Sequence, residues 1–202
     1  MKYNNTNTAV LPFGIIVVTV LWPLYAWAHV GSGEAGGLIL GLQHPVSGLD
    51  HVLAMLAVGL WGAQLGAPAI WLLPVVFPMM MAGGACMGLM GFPLPGVEVG
   101  IAVSAVVLGL MVLAEARLTI QLAMVIVAFF AIFHGHAHGT ELPAGQSGLL
   151  YSIGFVAATG CLHAVGIAIG LIHRWQIGRQ ALRGAGSIVC AGGIYFLVRA
   201  LT

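Results

Sequence analysis

The stretch that decides the fold is HPVSGLDHVLAMLAVGLWGAQLG, residues 44–66. After Asp50 and His51 it carries no further ionisable side chain. A run this long and this apolar reads as a helix crossing a bilayer, which needs about 20 residues. His44, Asp50 and His51 stand at its leading edge. Ionisable groups are costly in lipid unless they are paired or functional. Their position therefore asks what they hold.

The rest of the chain has the same character. It has 202 residues, 60% hydrophobic and 5% charged. A soluble domain carries about 25% charged residues. The deficit leaves too little polar surface to face water, so the lipid bilayer is an expected partner. The net charge is +1 and no basic patch stands out, which argues against nucleic acid. Eight histidines are many for so polar-poor a chain. Cys86, Cys161 and Cys190 are scattered through apolar runs. Their number and spacing suit buried small side chains better than a disulfide framework.

Residues 1–28 read as a signal peptide. Lys2 supplies the positive start, residues 10–25 are apolar, and Ala26-Trp27-Ala28 fits the small-x-small cleavage rule. The alternative is an uncleaved first span. Residues 29–202 read as one transmembrane domain. The expected fold is all-α: a polytopic bundle of six spans after the signal peptide, or seven if it is retained. The six are 44–66, 69–90, 97–114, 118–136, 148–173 and 181–201. Glycine and proline mark the joints, as in Gly66-Ala67-Pro68 and Pro143-Ala144-Gly145. The pairs Gly84/Gly88, Gly96/Gly100 and Gly166/Gly170 have the spacing that lets helices approach closely in lipid.

Orientation is predicted from the basic residues. Arg117, Arg174, Arg179 and Arg183 fall on one side of the bundle, expected to be cytoplasmic by the positive-inside rule. Arg199 alone opposes this. Then His44, Asp50, His51, Glu98, His134, His136, His138 and Glu141 all gather on the outer, periplasmic side of an inner membrane, with His29 at the processed N-terminus. The arginines fixed the topology, so the gathering is a separate result.

Spacing sharpens it. His134, His138 and Glu141 stand at i, i+4 and i+7, one face of a helix. His44 and His51 are seven apart, with Pro45 suited to a first helical turn. Asp50 lies near enough to reach the same centre. Imidazole and carboxylate ligands suit nickel, cobalt, zinc and similar divalent metals. Each residue also has a plainer reading: Asp50 and Glu98 as helix N-terminal charges, His44 as an interfacial cap, His138 as a solvated loop residue, His29 as an ordinary residue after a leader. His136 is off the face and reads as structural. His163, in mid-span, needs a partner at that depth. It is either a second metal stop or an interhelical hydrogen bond. The methionines Met79, Met80 and Met81 are consecutive and point around their helix, which suits packing more than a soft-metal stripe.

With these residues in view, the sequence resembles the HupE/UreJ family of nickel and cobalt transporters. The family's His-x5-Asp-His pattern falls on His44, Asp50 and His51. Its Phe-His-Gly-x-Ala-His-Gly-x-Glu pattern falls on Phe133, His134, Gly135, Ala137, His138, Gly139 and Glu141, with His136 at the variable place. Glu98 resembles an acidic residue near the start of the third mature span, less specifically. The resemblance implies secondary uptake of Ni2+ or Co2+. The residues by themselves imply an outer His/carboxylate metal site on a helical bundle, with His44, Asp50, His51, His134, His138 and Glu141 as ligands, Glu98 as an auxiliary acid, and His29 and His163 as further candidates. The ion is the cargo; no resident cofactor is expected, and association of copies stays open. Two other classes remain at this point. One is an intramembrane zinc hydrolase using the same ligands, with Glu98 or Ser47 recruited to the chemistry. The other is a metal-binding subunit or sensor, which would be expected to carry a soluble domain. No phosphate-binding G-x-x-x-x-G-K-[ST] loop occurs, so the expectation is transport without nucleotide hydrolysis.

Overall fold

The 44–66 stretch is broken in the middle of its polar edge. A computed structural model describes residues 34–142 and 145–202. The expected signal peptide and His29 lie outside them. The described residues form α1 (Glu34–Ser47), α2 (Leu49–Leu65), α3 (Ala69–Leu89), α4 (Val97–Leu113), α5 (Ile120–Thr140), α6 (Gly148–Gly170) and α7 (Gln176–Leu201). A 3-10 turn, Leu171–Arg174, joins α6 to α7. No strand occurs among the described residues.

The sequence reading began a helix at His44 with Pro45 in its first turn. Instead His44 lies in the last turn of α1, Pro45 lies inside that helix, and α2 starts at Leu49. The two helices are bent by 81° at the break. The cause is local. Pro45 has no N–H to offer the carbonyl four residues back, and Gly48 takes an extended conformation (φ −103°, ψ 118°). The segment before His44, ahead of the first expected span, is also helical, and its glycines let it lie flat on α6. A Cβ at Gly41 would fall on the carbonyl of Tyr151, and one at Gly154 on that of Leu38.

The same device joins the other helices. Gly84 and Gly88 of α3 face the carbonyls of Ile132 and His136, while Gly135 and Gly139 of α5 face those of Met81 and Ala85. Gly59 of α2 meets Gly166 of α6, and Gly109 of α4 meets Gly186 of α7. Without a hydrophobic driving force in lipid, such close backbone approach supplies the packing energy. The expected Gly96/Gly100 pair does not act this way. Gly96 is a left-handed turn residue before α4 (φ 69°), and Gly100 makes room for the ring of Phe133.

Helix ends are satisfied by side chains. Thr119 accepts the N–H of Leu122 (3.5 Å) and Ser147 that of Leu150 (3.4 Å). At the end of α4, Gln64 Nε2 donates to the carbonyl of Val112 (3.1 Å) and Trp61 Nε1 to that of Ala116 (3.0 Å). Trp61, Met55, Phe77, Leu73 and Leu108 are among the fully buried side chains between the helices.

The chain is a helical membrane protein. α3, α5, α6 with its turn, and α7 are each long and apolar enough to cross a bilayer, and the bent pair α1–α2 makes a fifth candidate. α4 is apolar but only 17 residues long. By length, then, four or five spans qualify among the described residues, and α4 is the short member of the six expected. Two predicted ends also move. α5 continues past His136 to Thr140, because Gly135 and Gly139 are packed on α3 rather than loose. α7 starts at Gln176, so Arg179 joins Arg183 on the helix itself, where long cationic side chains can reach the interface.

Candidate metal centre

Three helix ends meet at one place. α1 carries His44 in its last turn, α2 carries Asp50 and His51 in its first, and α5 closes with His134, His138 and Glu141. Because α5 stays helical to Thr140, with Glu141 as its C-cap, the i, i+4, i+7 spacing holds. The seven-residue spacing of His44 and His51 does not act as a helical face, since Gly48 interrupts it. Across the bend, both rings meet a third instead. His138 sits between them, with ring centroids 4.6 Å from His44 and 4.7 Å from His51. His51 is also 4.8 Å from His134.

Hydrogen bonds fix which ring atoms are left over. His51 Nδ1 donates to Asp50 Oδ1 (3.0 Å), which also accepts the backbone N–H of His51 (2.9 Å). Asp50 thus orients its neighbour and leaves His51 Nε2 as the lone-pair nitrogen. Ser104 on α4 gives its one proton to the carbonyl of Ile101 (2.6 Å). It must therefore accept from His134 Nε2 (2.8 Å), leaving Nδ1 with the lone pair. His51 Nε2, His134 Nδ1 and both nitrogens of His138 are buried without a partner. Burying such atoms unpaired costs about 1–3 kcal/mol each. Orphaned nitrogens on three adjacent rings are the donor set that a cation would satisfy.

Nearer the mouth, His44 Nε2 lies 2.9 Å from Glu141 Oε2. One ligand atom each from His44, His138 and Glu141 lie within 4.8 Å of one another, close enough to share an ion. His44 and Glu141 are the more open members, with side chains 28% and 52% exposed, while His138 is 3% exposed. The cluster thus grades from half-exposed carboxylate to enclosed imidazole. A cleft of about 130 Å³ between α3, α5 and α6 reaches His138, with Tyr151, Phe155 and Met81 in its wall. Its walls are mostly apolar.

Not every expected residue joins. Glu98 is exposed in the first turn of α4 and enters no ion pair or side-chain hydrogen bond among the described residues. His136 faces away, and its Nε2 donates to the carbonyl of Phe92 (2.7 Å) in the α3–α4 connection. His163 is deeper, on α6. Sequence reasoning missed the aromatic wall. Phe155 lies 4.2 Å and Tyr151 5.8 Å, ring to ring, from His138 and His44 respectively. The available signal was the four-residue spacing from Tyr151 through Phe155 and Thr159 to His163.

The family described as HupE / UreJ protein matches residues 16–196, both motifs included. The chain belongs to the HupE/UreJ family. Protein HupE of Rhizobium leguminosarum bv. viciae is 41% identical over 198 residues, covering 98% of this chain and 100% of the relative. No solved structure matches. The HupE/UreJ resemblance read from the two motifs therefore extends over nearly the whole chain.

Proposed function

We propose that the protein is a secondary transporter that takes up Ni2+ or Co2+ across the inner membrane through a periplasmic His/carboxylate site. The observation that carries this reading is the convergence of His44, His51, His134 and His138 from three helix ends of a membrane protein, with ring nitrogens left unpaired. Membership of the HupE/UreJ family supports it. Glu98, at the same end of the bundle, attracts cations from the outer water, as does His29 after processing. Glu141 and His44 take the partly hydrated ion. His138, His51 and His134 replace further water with imidazole nitrogen, the ligand suited to these metals. Asp50 acts through His51 rather than as a ligand of its own. His163 holds the ion deeper in the membrane.

Inward movement needs no nucleotide. A divalent ion gains about 4.6 kcal/mol per 100 mV of inside-negative potential. The zinc-hydrolase reading needs a group beyond the metal ligands to act as a base. Glu98 or Ser47 was to supply the chemistry; Glu98 is exposed with no side-chain hydrogen bond among the described residues, and Ser47 Oγ donates to the carbonyl of His44 (2.7 Å), so neither gives that reading support. The test is uptake of radiolabelled nickel, cobalt and zinc by cells expressing the chain. Accumulation of nickel or cobalt that disappears in His138→Ala is expected. Equal accumulation by both, at equal protein in the membrane, would remove the reading.

A further inference from the structure

One side of α6 carries Tyr151, Phe155, Thr159 and His163 at intervals of four residues, all buried. Such a row spans about 18 Å along a helix axis. Its first half walls the outer cluster, through the contacts of Tyr151 with His44 and Phe155 with His138. Its second half enters a different environment. Thr159 is 0% and His163 1% exposed, and Thr159 Oγ1 and both His163 ring nitrogens lack a hydrogen-bond partner.

A third polar atom stands beside His163 on α3. This helix contains both Pro74 and Pro78. Pro78 has no N–H, so the carbonyl of Pro74, four residues earlier, loses its helical donor. That carbonyl faces the His163 ring without a hydrogen bond of good geometry to either nitrogen. One turn further along α3 stands Phe77, 0% exposed. Its ring centroid lies 5.3 Å from that of His163 and 5.4 Å from that of His134, edge-on to both. A buried imidazole thus has a released carbonyl beside it and an unpartnered hydroxyl one turn away on its own helix, and one aromatic ring lies against both this imidazole and His134.

We propose that Thr159, His163 and the Pro74 carbonyl form a second, inner holding position for the transported cation, with Phe77 as the barrier between it and the outer cluster. This rests on the transport reading and specifies its route. Nitrogen and oxygen donors together suit the same borderline divalent ions. An ion leaving His134 passes the edge of Phe77 when that ring changes rotamer. It then meets donors on α6 and α3 before reaching the inner side.

The test is equilibrium dialysis of Co2+ against the purified full-length protein in lipid nanodiscs, with rapid chelator quenching to follow release. The wild-type chain is expected to bind two ions, one released more slowly. His163→Ala is expected to bind one. Thr159→Val keeps the side-chain shape and is expected to weaken the slow ion about tenfold, the lower end of the range for lost supporting contacts at metal sites. It also serves if His163→Ala does not fold. Were Thr159 merely structural, removing its unpartnered hydroxyl would be neutral or stabilising. Phe77→Ala is expected to retain two ions and abolish the difference in release rate. If His44→Ala and His138→Ala bind like the wild type, the outer site and the transport reading fail. If they lose one ion while the Thr159 and His163 variants lose none, the inner position alone is overturned. His163 is then an interhelical donor to Pro74.

Discussion

His134, His136 and His138 stand two residues apart, yet they reach different surroundings. His134 bonds Ser104 and packs its ring against His51; His138 lies between His44 and His51; His136 bonds the Phe92 carbonyl. Replacing His134, His138 or Glu141 by Ala is therefore expected to abolish metal uptake with protein still in the membrane. His136→Ala should keep most uptake and cost about 1 kcal/mol of stability through its lost hydrogen bond. An inactive His136→Ala beside an active His138→Ala would move the site. Asp50 supports His51 from behind, so Asp50→Asn should weaken binding by about 10–100-fold rather than erase it. Titration of the purified variant with Ni2+ measures this, and wild-type affinity would remove Asp50 from the account. Imidazole binds metal only when neutral, so protons compete with the metal for these ring nitrogens. Affinity should fall on acidification; Ni2+ binding that acid does not weaken at all contradicts imidazole ligation. The stripe was legible because it depends only on α5 staying helical. The aromatic wall was not, because Tyr151 and Phe155 in an apolar helix look the same whether they face lipid, core or an ion.

At the scale of elements, the break at Gly48 and the glycine seam between α3 and α5 do the positioning. A Cβ at Gly48 would lie 2.8 Å from Asp50 Oδ1 and 3.1 Å from His51 Nδ1. Its backbone is in a region any residue adopts, so Gly48→Ala should fold normally. It should nevertheless lower metal affinity by disturbing the Asp50–His51 pair. Unchanged affinity would show that the pair tolerates displacement. Gly139→Leu is different, because a side chain there meets the backbone of Ala85. It should cost more than the roughly 1–3 kcal/mol of ordinary overpacking, seen as lost protein in the membrane. Gly160→Ala has open space around it and should be tolerated. Seven-residue spacing suggests that His44 and His51 share one helical face, whereas they stand on two helices bent by 81°, each against the ring of His138. Pro45 fits the start of a helix or a place near its end, and only the fit of Gly41 and Gly154 between α1 and α6 decides which.

For the whole molecule, composition made the helical membrane class plain, since no other class tolerates 60% hydrophobic and 5% charged residues. Span count was less legible. Hydropathy runs set off by glycine and proline do not distinguish a bent pair or a short helix from a full crossing. The proposed orientation puts the histidine cluster outside and the α6–α7 arginines inside. Single cysteines at Gly145 and Gln176, in a chain whose native cysteines are removed, should label oppositely with an impermeant reagent, outside and inside respectively. Labelling of Gly145→Cys only after the membrane is opened would invert the bundle and end the capture model. The central claim, that histidines from three helix ends hold the ion together, is tested most directly by X-ray absorption at the nickel edge on purified protein loaded with one equivalent of Ni2+. The account predicts a nitrogen and oxygen shell with the multiple scattering of at least three imidazoles, reduced in His138→Ala. A shell containing sulfur, or one with at most a single imidazole, would contradict it.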